Sequence, residues 1–480
     1  MKLFRKKGHG VEARPALEGV LLGRRLAGEQ VLPMHGADLI WPRAEVPKHA
    51  LVTGSPGMGK SETAMRMAYD LAVNCDAQVF YLDAKGDPRM AERFAALMKA
   101  AGRRTRVFPN ERFDAWRGDW RAVSNRLLEA IEFAKVGPAA YYRDIAKAVL
   151  YLACYHPDGP PRSSEELLAR LDSEALIAAH GPSALTKCSL TAEKVSEVRM
   201  RYKAFFDQIG LSVDGEWSWE DTDAAYFMVD SIAMAEQADG LTCLLFSDFG
   251  DFFTKRKRSK RLCVLLVDEF AAIARNTDMA RVLEQARSFG VGLVFIPQTL
   301  AGLDDRAQEK RIVGSVGMVV MHAHPEPQDL ASLAGSRKVL ELSHRYEDGV
   351  YSEVANAQLS DRAKVEPDWV RELPVGSAWV IRRGRAAKVA IERAPELDPV
   401  ALPRCEALDR PLKRPEGEAP KELSYLDLAD QGAEPPQELS YLGSVEAGAF
   451  KELPYLDGAE EAPGEAPKEL SYLDEDGPQQ

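Results

Sequence analysis

A glycine-rich segment near the start of the chain matches the phosphate-binding pattern G-x-x-x-x-G-K-[ST] at every fixed position. It reads Gly54-Ser55-Pro56-Gly57-Met58-Gly59-Lys60-Ser61. Residues 49–53 before it predict a short buried strand, and residues 62–68 after it predict a helix. Glycines allow the backbone N–H groups before a helix N-terminus to point at a phosphate. The segment therefore predicts the strand, loop and helix of an α/β nucleotide-binding fold.

This pattern assigns chemistry to its residues. We expect Lys60 to reach the β- and γ-phosphates of ATP and the Ser61 hydroxyl to hold Mg²⁺. A chance glycine-rich turn is the alternative, and the strand and helix on either side argue against it. The residues expected to contact the nucleotide are Gly54, Ser55, Pro56, Gly57, Met58, Gly59, Lys60, Ser61 and Glu62.

A second motif lies far downstream, where the apolar run 264–267 is followed by Asp268 and Glu269. We expect Asp268 to bind the metal from the end of a strand buried on both faces. Glu269 is then placed to polarise the attacking water as general base. Alone, an apolar run followed by two carboxylates indicates only a core strand. Paired with the phosphate loop, it predicts the second half of an ATP-hydrolysing site.

Composition indicates the cellular location of the protein. The 480 residues are 45% apolar, enough for a sizeable core, and they contain no run of 18 apolar residues and no signal peptide. We expect a cytoplasmic protein, either free or held peripherally at the inner membrane by a partner. The six cysteines are scattered without metal-ligand spacing, which indicates reduced core residues.

The net charge of −12 is unevenly distributed. Residues 394–480 contain 21 acidic and 7 basic residues, a balance of −14, and the rest of the chain contains 53 and 55, a balance of +2. The folded body is therefore close to neutral. This balance neither requires nor excludes nucleic acid as a partner.

The spacing of the two motifs predicts an insertion. Lys60 and Asp268 are 208 residues apart, more than a compact RecA-like ATPase core needs. Helical periodicity in 140–154 and 193–206, and a capping box at 163–166, predict helices between them. Strands are predicted at 78–83, 105–108, 292–296 and 317–322, with a hairpin formed by 377–381 and 387–391.

The predicted fold class is therefore α/β, a RecA-like P-loop ATPase core with an inserted all-α domain and a disordered C-terminal tail. The predicted ranges are a flexible basic N-terminus at 1–19, the core at 20–134 and 237–393, the all-α insertion at 135–236, and the acidic tail at 394–480.

The tail contains 12 of the 29 prolines and no lasting amphipathic period, which indicates disorder. Four copies of a Glu-Leu-x-Tyr-Leu repeat occur in it, at 421–427, 437–443, 451–457 and 468–474. One interpretation is duplicated low-complexity sequence without a role. The other is a set of docking peptides, whose apolar side chains enter a groove and whose number raises avidity.

Taken together, these elements resemble the type IV coupling proteins, the TraG/TraD-like ATPases of conjugation and type IV secretion in the HerA/FtsK superfamily. The resemblance covers about residues 20–391. The segments that carry it are 83–87 (Asp-Ala-Lys-Gly-Asp), 141–146 (Tyr-Tyr-Arg-Asp-Ile-Ala), 286–291 with 296–298, and 335–337 (Gly-Ser-Arg). Typical members have an N-terminal transmembrane pair, which this sequence lacks, and the repeat-bearing tail has no counterpart among them.

The resemblance implies two further site residues. Gln298 would sense the γ-phosphate, and Arg287 would be an arginine finger that reaches a neighbour's nucleotide. The alternatives are a strand-end amide for Gln298 and a helix-surface arginine for Arg287. A finger supplied in trans implies a ring, and we expect a hexamer.

The expected function is ATP hydrolysis coupled to the transfer of DNA, preferably single-stranded and in some cases protein-linked, to a conjugation or type IV secretion channel. A membrane or relaxosome protein is the expected partner, with the tail repeats as one contact. Three alternatives stay open at this point: a double-stranded DNA translocase of the HerA/FtsK branch, a phage-assembly ATPase, and a nucleotide-gated adaptor that recruits cargo through its tail. The basic run 255–261 is either a solvated loop or a phosphate-contacting patch.

Overall fold

The structure is a computed structural model of the full chain. It describes residues 18–26, 38–131, 133, 140–229, 235–256, 261–268, 279–297, 306–347 and 350–404.

An eleven-stranded sheet forms the centre of the molecule, with the strand order β2-β1-β13-β12-β9-β3-β8-β7-β4-β6-β5. A separate two-stranded sheet is the hairpin of β10 and β11. The strands are β1 (Gly19–Arg25), β2 (Asp38–Pro42), β3 (Ala50–Thr53), β4 (Gln78–Asp83), β5 (Thr105–Phe108), β6 (Ala224–Met228), β7 (Cys263–Asp268), β8 (Val291–Ile296), β9 (Met318–Met321), β10 (Ser336–Glu347), β11 (Val350–Ala363), β12 (Ser377–Arg382) and β13 (Arg385–Ile391).

From β9 to β5 the neighbouring strands are all parallel. Their side chains are buried on both faces, as the almost continuous apolar sequences of β3, β7 and β8 require. One strand, β8, lies between β3 and β7. Because parallel strands end at the same edge of a sheet, the phosphate loop after β3 and the carboxylate that ends β7 share one edge. At that edge Asp83 of β4 lies beside Asp268 of β7 in the strand register.

Helices cover both faces of this sheet. In chain order they are α1 (Lys60–Cys75), α2 (Pro88–Ala100), α3 (Trp120–Ala130), α4 (Ala140–Cys154), α5 (Ser164–Arg170), α6 (Ser173–His180), α7 (Ala184–Lys187), α8 (Ala192–Ile209), α9 (Ala235–Thr254), α10 (Met279–Ser288), α11 (Arg306–Ser315), α12 (Gln328–Ser332) and α13 (Pro367–Arg371). A 3-10 helix spans Arg43–Lys48.

Strand alternation divides the core between the two faces. On β4, Val79 and Tyr81 point towards the face that α1 and α2 cover, and Phe80 and Leu82 point towards the opposite face. The second face packs against α3 and α9, and the same apolar cluster continues into α4 and α8. The predicted helices within the insertion are confirmed, including the Ser163 side chain, which accepts a hydrogen bond from the Glu166 N–H as in the predicted capping box.

The predicted all-α range 135–236 is wrong at its C-terminal end. Residues 224–228 within it form β6, which pairs in parallel with β4 on one side and β5 on the other. The sequence Ala-Ala-Tyr-Phe-Met is apolar at five successive positions, so it shows neither the period of a helix nor the alternation of a half-buried strand. In the described part of the chain, the helical portion therefore ends with α8 at Ile209, and the chain returns to the sheet before α9.

Four antiparallel strands, β2, β1, β13 and β12, extend the sheet beyond β9. The predicted hairpin of β12 and β13 is confirmed, and β1 begins at Gly19, inside the range predicted to be a flexible N-terminus. The start of the predicted disordered tail is also corrected. Residues 394–404 lie against the core: Ala394 is buried, Val400 and Leu402 pack on the apolar cluster, and Asn110 Nδ2 donates to the Pro403 carbonyl. Residues 405–480, with the four repeats, lie outside the described residues.

Two expectations from composition can be compared with the described part of the chain. None of its helices is both long enough and apolar enough to span a bilayer. Its five cysteines are free thiols, four of them buried and Cys188 half-buried.

Candidate nucleotide-binding site

The loop between β3 and α1 has backbone conformations that its glycines make possible. Gly54, Gly57 and Gly59 have φ values of +147°, +77° and +107°. At Gly54 the space is also closed, because a Cβ there would lie 2.6 Å from the Cβ of His322. Two backbone hydrogen bonds fasten the loop: the Ser55 N–H donates to the Ala323 carbonyl (2.7 Å), and the Gly376 N–H donates to the Met58 carbonyl (3.2 Å). The loop is therefore held between the end of β9 and the turn before β12.

Lys60 begins α1 and its side chain is buried. Its ammonium donates to the carbonyl of Gly54 at 2.6 Å and to that of Ser55 at 3.2 Å. The positive charge therefore lies inside the curve of the loop, where the N-terminus of a 16-residue helix also favours an anion. This arrangement fits the phosphates of a nucleotide.

Ser61 and Glu62 lie in the first turn of α1. The Glu62 carboxylate is paired with the Arg93 guanidinium of α2, with Arg93 Nη2 2.8 Å from Glu62 Oε2. The hydrogen bond from Arg93 lowers the pKa of Glu62. In this structure the Glu62 side chain thus serves the contact between α1 and α2, and its predicted contact with nucleotide stays a prediction.

Asp268 ends β7 and is almost fully buried, with 5% of its surface exposed. The Lys85 ammonium lies 3.2 Å from Asp268 Oδ1, and the Tyr81 hydroxyl lies 3.5 Å from Oδ2. Burial and the Asp268 charge both raise the pKa of Tyr81, so that this hydroxyl stays a donor. A buried carboxylate that already holds a cation at the sheet edge is a suitable ligand for Mg²⁺.

Asp83 organises the turn that carries Lys85. Its carboxylate accepts the N–H of Lys85 (2.9 Å) and the N–H of Asp87 (3.1 Å), and it also accepts the Tyr226 hydroxyl at 2.7 Å. These bonds fix the turn after β4 and direct it towards Asp268. The sequence motifs predict no role for Asp83 or Lys85, although both lie in the segment 83–87 that carries the family resemblance.

His322, the residue after β9, packs against the phosphate loop. Its Nδ1 lies 3.0 Å from the Ser377 carbonyl, which can only accept, so Nδ1 carries the proton. The other nitrogen, Nε2, lies 2.9 Å from the hydroxyl of Thr63 in α1. Burial lowers the pKa of His322 to about 4, and the nearby charge of Lys60 acts in the same direction. A neutral His322 thus joins α1, β9 and β12, a role that nothing in its sequence context indicates.

The remaining predicted site residues lie away from the loop or outside the described residues. Arg287 is exposed near the end of α10. Its positive charge helps to lower the pKa of His49, the residue immediately before β3. Arg287 therefore lies near the N-terminal edge of the parallel strands, opposite the edge that contains the phosphate loop. Glu269 and Gln298 lie outside the described residues.

The fold is that of the RecA-like P-loop class. Its sheet has a phosphate loop after β3 and a carboxylate at the end of β7, with one strand between them. Comparison with known proteins agrees with this class. The family model described as the TraM recognition site of TraD and TraG matches residues 262–375. No curated protein sequence matches the chain.

Solved structures with this fold include conjugation proteins. The unbound bacterial conjugative coupling protein TrwBdeltaN70 is 18% identical, with a TM-score of 0.58 over 81% of this chain and 97% of that chain. TrwB in complex with ADP and Mg²⁺ gives a TM-score of 0.56 at 18% identity, over 81% of this chain and 98% of that one. VirB4 of Thermoanaerobacter pseudethanolicus gives 0.52 at 14% identity, over 79% and 97%. The resemblance to type IV coupling proteins and the RecA-like α/β class are thus confirmed; at these identities the structural likeness establishes the fold.

Proposed function

We propose that this protein is an ATP-hydrolysing coupling ATPase, which delivers DNA to a conjugation or type IV secretion channel. The observation that carries the proposal is the pairing of two halves of one site. The buried Lys60 ammonium lies inside a glycine-built phosphate loop, and the buried Asp268 carboxylate lies at the same sheet edge. Structures of TrwB contain ADP with Mg²⁺ or non-hydrolysable ATP and GTP analogues, which supports ATP and Mg²⁺ as the ligands here.

In the proposed mechanism each residue has a separate task. Lys60 and the loop N–H groups would hold the phosphates, and Ser61 and Asp268 would hold Mg²⁺, whose charge would offset that of the phosphates. Glu269 accepts a proton from the attacking water. Gln298 reports the state of the γ-phosphate to the sheet.

The position of Arg287 supports action between subunits. An arginine at the sheet edge opposite its own phosphate loop can serve catalysis only at a neighbouring copy's nucleotide. We therefore include a ring, most simply a hexamer, in the proposal. The proposed partners are single-stranded DNA and a relaxosome or membrane protein, in keeping with a family model described as a TraM recognition site.

Steady-state ATP turnover with and without a single-stranded oligonucleotide tests this proposal. We expect turnover that rises with the oligonucleotide and is lost in Glu269→Gln and in Lys60→Met. Lys99→Met, which removes an exposed lysine of α2, is the matched control and should behave as wild type. Stimulation by duplex DNA alone would favour a double-stranded DNA translocase. Turnover no higher than that of Glu269→Gln would contradict an ATPase and favour the nucleotide-gated adaptor.

A further inference from the structure

A cavity lies among the antiparallel strands at the edge of the sheet, beside the base of the β10–β11 hairpin. Its volume is about 440 Å³, within the range of ligand sites. Five cationic side chains line it, and no acidic side chain does so among the described residues. The cations are Arg25, Arg337, Lys364, Arg382 and Arg385. We refer to this cavity as the basic pocket.

The hairpin of β12 and β13 brings two of these cations together. Arg382 and Arg385 are directly opposite each other in the strand register, on either side of a two-residue turn at Arg383 and Gly384 with φ values of +50° and +66°. Like charges at opposite positions repel each other. One carboxylate, that of Glu45, lies near both Arg382 (3.4 Å) and Arg383 (2.8 Å). The turn therefore has more positive charge than its neighbouring acid can balance.

Two other cations reach the same space from separate elements. The Nε–H of Arg25, on β1, is buried and has no hydrogen-bond partner in the described part of the chain. Lys364 bridges two elements, because its backbone N–H donates to the Gly335 carbonyl and its ammonium donates to the Gly384 carbonyl at 2.8 Å. A buried donor without a partner costs free energy that an anionic ligand would recover.

The floor of the basic pocket is aliphatic. Leu22, Met318 and Val380 are buried beneath it, with 1%, 1% and 5% of their surfaces exposed. No aromatic ring lines the basic pocket among the described residues. Single-stranded nucleic acid is usually held on aromatic rings that stack on its bases, so this lining suits a different anion. An aliphatic floor with a cationic rim matches a ligand that combines carboxylates with apolar side chains.

The chain itself contains sequences of this chemistry. Each Glu-Leu-x-Tyr-Leu repeat has two leucines and a tyrosine next to a glutamate, within a region whose charge balance is −14 (21 acidic and 7 basic residues in 394–480). We propose that the basic pocket is a binding site for acidic peptides with leucine and tyrosine side chains, and that the Glu-Leu-x-Tyr-Leu sequence is its ligand. The carboxylates would meet the rim, and the apolar side chains would cover the floor. This binding function is separate from ATP turnover.

A peptide titration against the full-length chain tests the proposal. The probe is a fluorescein-labelled peptide of residues 465–476, with fluorescence anisotropy as the readout. To remove competition from the chain's own repeats, the receptor is the full-length protein with four serine substitutions, which keep the tail's length and charge. These are Tyr425→Ser, Tyr441→Ser, Tyr455→Ser and Tyr472→Ser.

We expect saturable binding that weakens about 10-fold or more in the receptor that also has Arg25→Glu and Arg385→Glu, because two charge-assisted contacts are lost. Arg104→Glu, an exposed arginine next to β5 at the far edge of the sheet, is the control for charge and should change the affinity less than about 2-fold. A probe with serine at positions 470, 472 and 473 should bind at least about 10-fold more weakly, since its apolar side chains are gone.

Three results would overturn the proposal. One is no binding of the probe, and another is equal binding to the pocket and control receptors. The third is displacement of the probe by a single-stranded oligonucleotide that binds the basic pocket more tightly than the peptide does. ATP turnover of each receptor shows that it is folded. If the double variant does not fold, the serine probe and the single variant Arg385→Ala, at the exposed first residue of β13, still decide the question.

Discussion

The ammonium of Lys85 lies 3.2 Å from the carboxylate of Asp268, the residue predicted to hold Mg²⁺. A tethered cation therefore lies beside the carboxylate that a metal would use. The turn that places it is fixed by Asp83, which accepts the Lys85 N–H at 2.9 Å. We expect binding of a metal at Asp268 to weaken this ion pair, because Lys85 and Mg²⁺ would then compete for the same carboxylate.

We expect Lys85→Met to lower the stability of the nucleotide-free protein by about 1–3 kcal/mol, because a buried carboxylate loses a partner. The same change should lower the Mg²⁺ concentration needed for half-maximal stabilisation by an ATP analogue. Thermal unfolding with a Mg²⁺ titration measures both effects, and Lys99→Met is the control. An unchanged Mg²⁺ dependence would mean that Lys85 does not compete with the metal.

The two glycines Gly54 and Gly57 allow a graded test of the phosphate loop. A Cβ at Gly57, with φ of +77°, would meet nothing within 4 Å, whereas one at Gly54 would meet His322. Gly57→Ala should therefore cost about 1–2 kcal/mol of unfolding free energy, from backbone strain alone. Gly54→Ala should cost more and also weaken nucleotide binding, since the loop must move away from His322. Chemical denaturation and nucleotide titration of both variants check this order, and equal effects would contradict it.

Much of the sheet could be predicted from the sequence, because the strands beside the nucleotide site are short apolar runs next to recognisable motifs. The phosphate loop marks the end of β3, and the Asp-Glu pair marks the end of β7. β6 lacks such a motif and lies next to helical sequence, so its five apolar residues are predicted as part of the insertion. Its place between β4 and β5 depends on contacts with residues more than 100 positions away in the chain.

The site residues also divide into those that the sequence predicts and those that it does not. Lys60 and Asp268 could be named because their motifs combine residue type with fixed spacing. His322 could not, since its role depends on Thr63 and Ser377, which lie 259 and 55 residues from it in the chain. The sequence indicates Asp83 and Lys85 only as part of a segment that resembles the family. Their roles depend on hydrogen bonds within a turn and on the strand register that places Asp83 beside Asp268.

Arg126 provides a test of the contact between α3 and α9. Its guanidinium is 1% exposed and lies 2.5 Å from Asp248 and 3.0 Å from Asp251. Asp248 also accepts the indole N–H of Trp219 at 2.8 Å. Arg126→Met leaves the Asp248 charge buried without its main partner, and we expect a loss of about 3–5 kcal/mol of unfolding free energy.

Two further variants separate charge from packing in this contact. Arg121→Met, on the exposed side of the same helix, should cost about 1 kcal/mol or less. Adding Asp248→Asn to Arg126→Met should restore part of the loss, because the uncompensated charge disappears while an acceptor for Trp219 remains. If the double variant is no more stable than Arg126→Met, the loss is one of packing.

Two of the buried histidines, His49 and His322, predict how stability depends on pH. Burial lowers the pKa of His49 and of His322 to about 4, below the value of about 6.5 for an exposed histidine. As pH falls from 6.5 towards 4, the unfolded chain takes up these protons and the folded protein does not, so stability decreases with acidification. Between pH 7 and pH 5 each histidine should account for a loss of about 2 kcal/mol.

Comparison of wild type with His322→Gln isolates one of these contributions, because all other titrating groups are common to both proteins. The variant should be less stable at pH 7, where it loses hydrogen bonds to Thr63 or Ser377. Its further loss between pH 7 and pH 5 should be about 2 kcal/mol smaller than that of wild type. Urea unfolding at the two pH values measures both quantities. Parallel losses in the two proteins would mean that His322 takes up its proton equally in the folded and unfolded states, and that its neutral form is not what supports the phosphate loop.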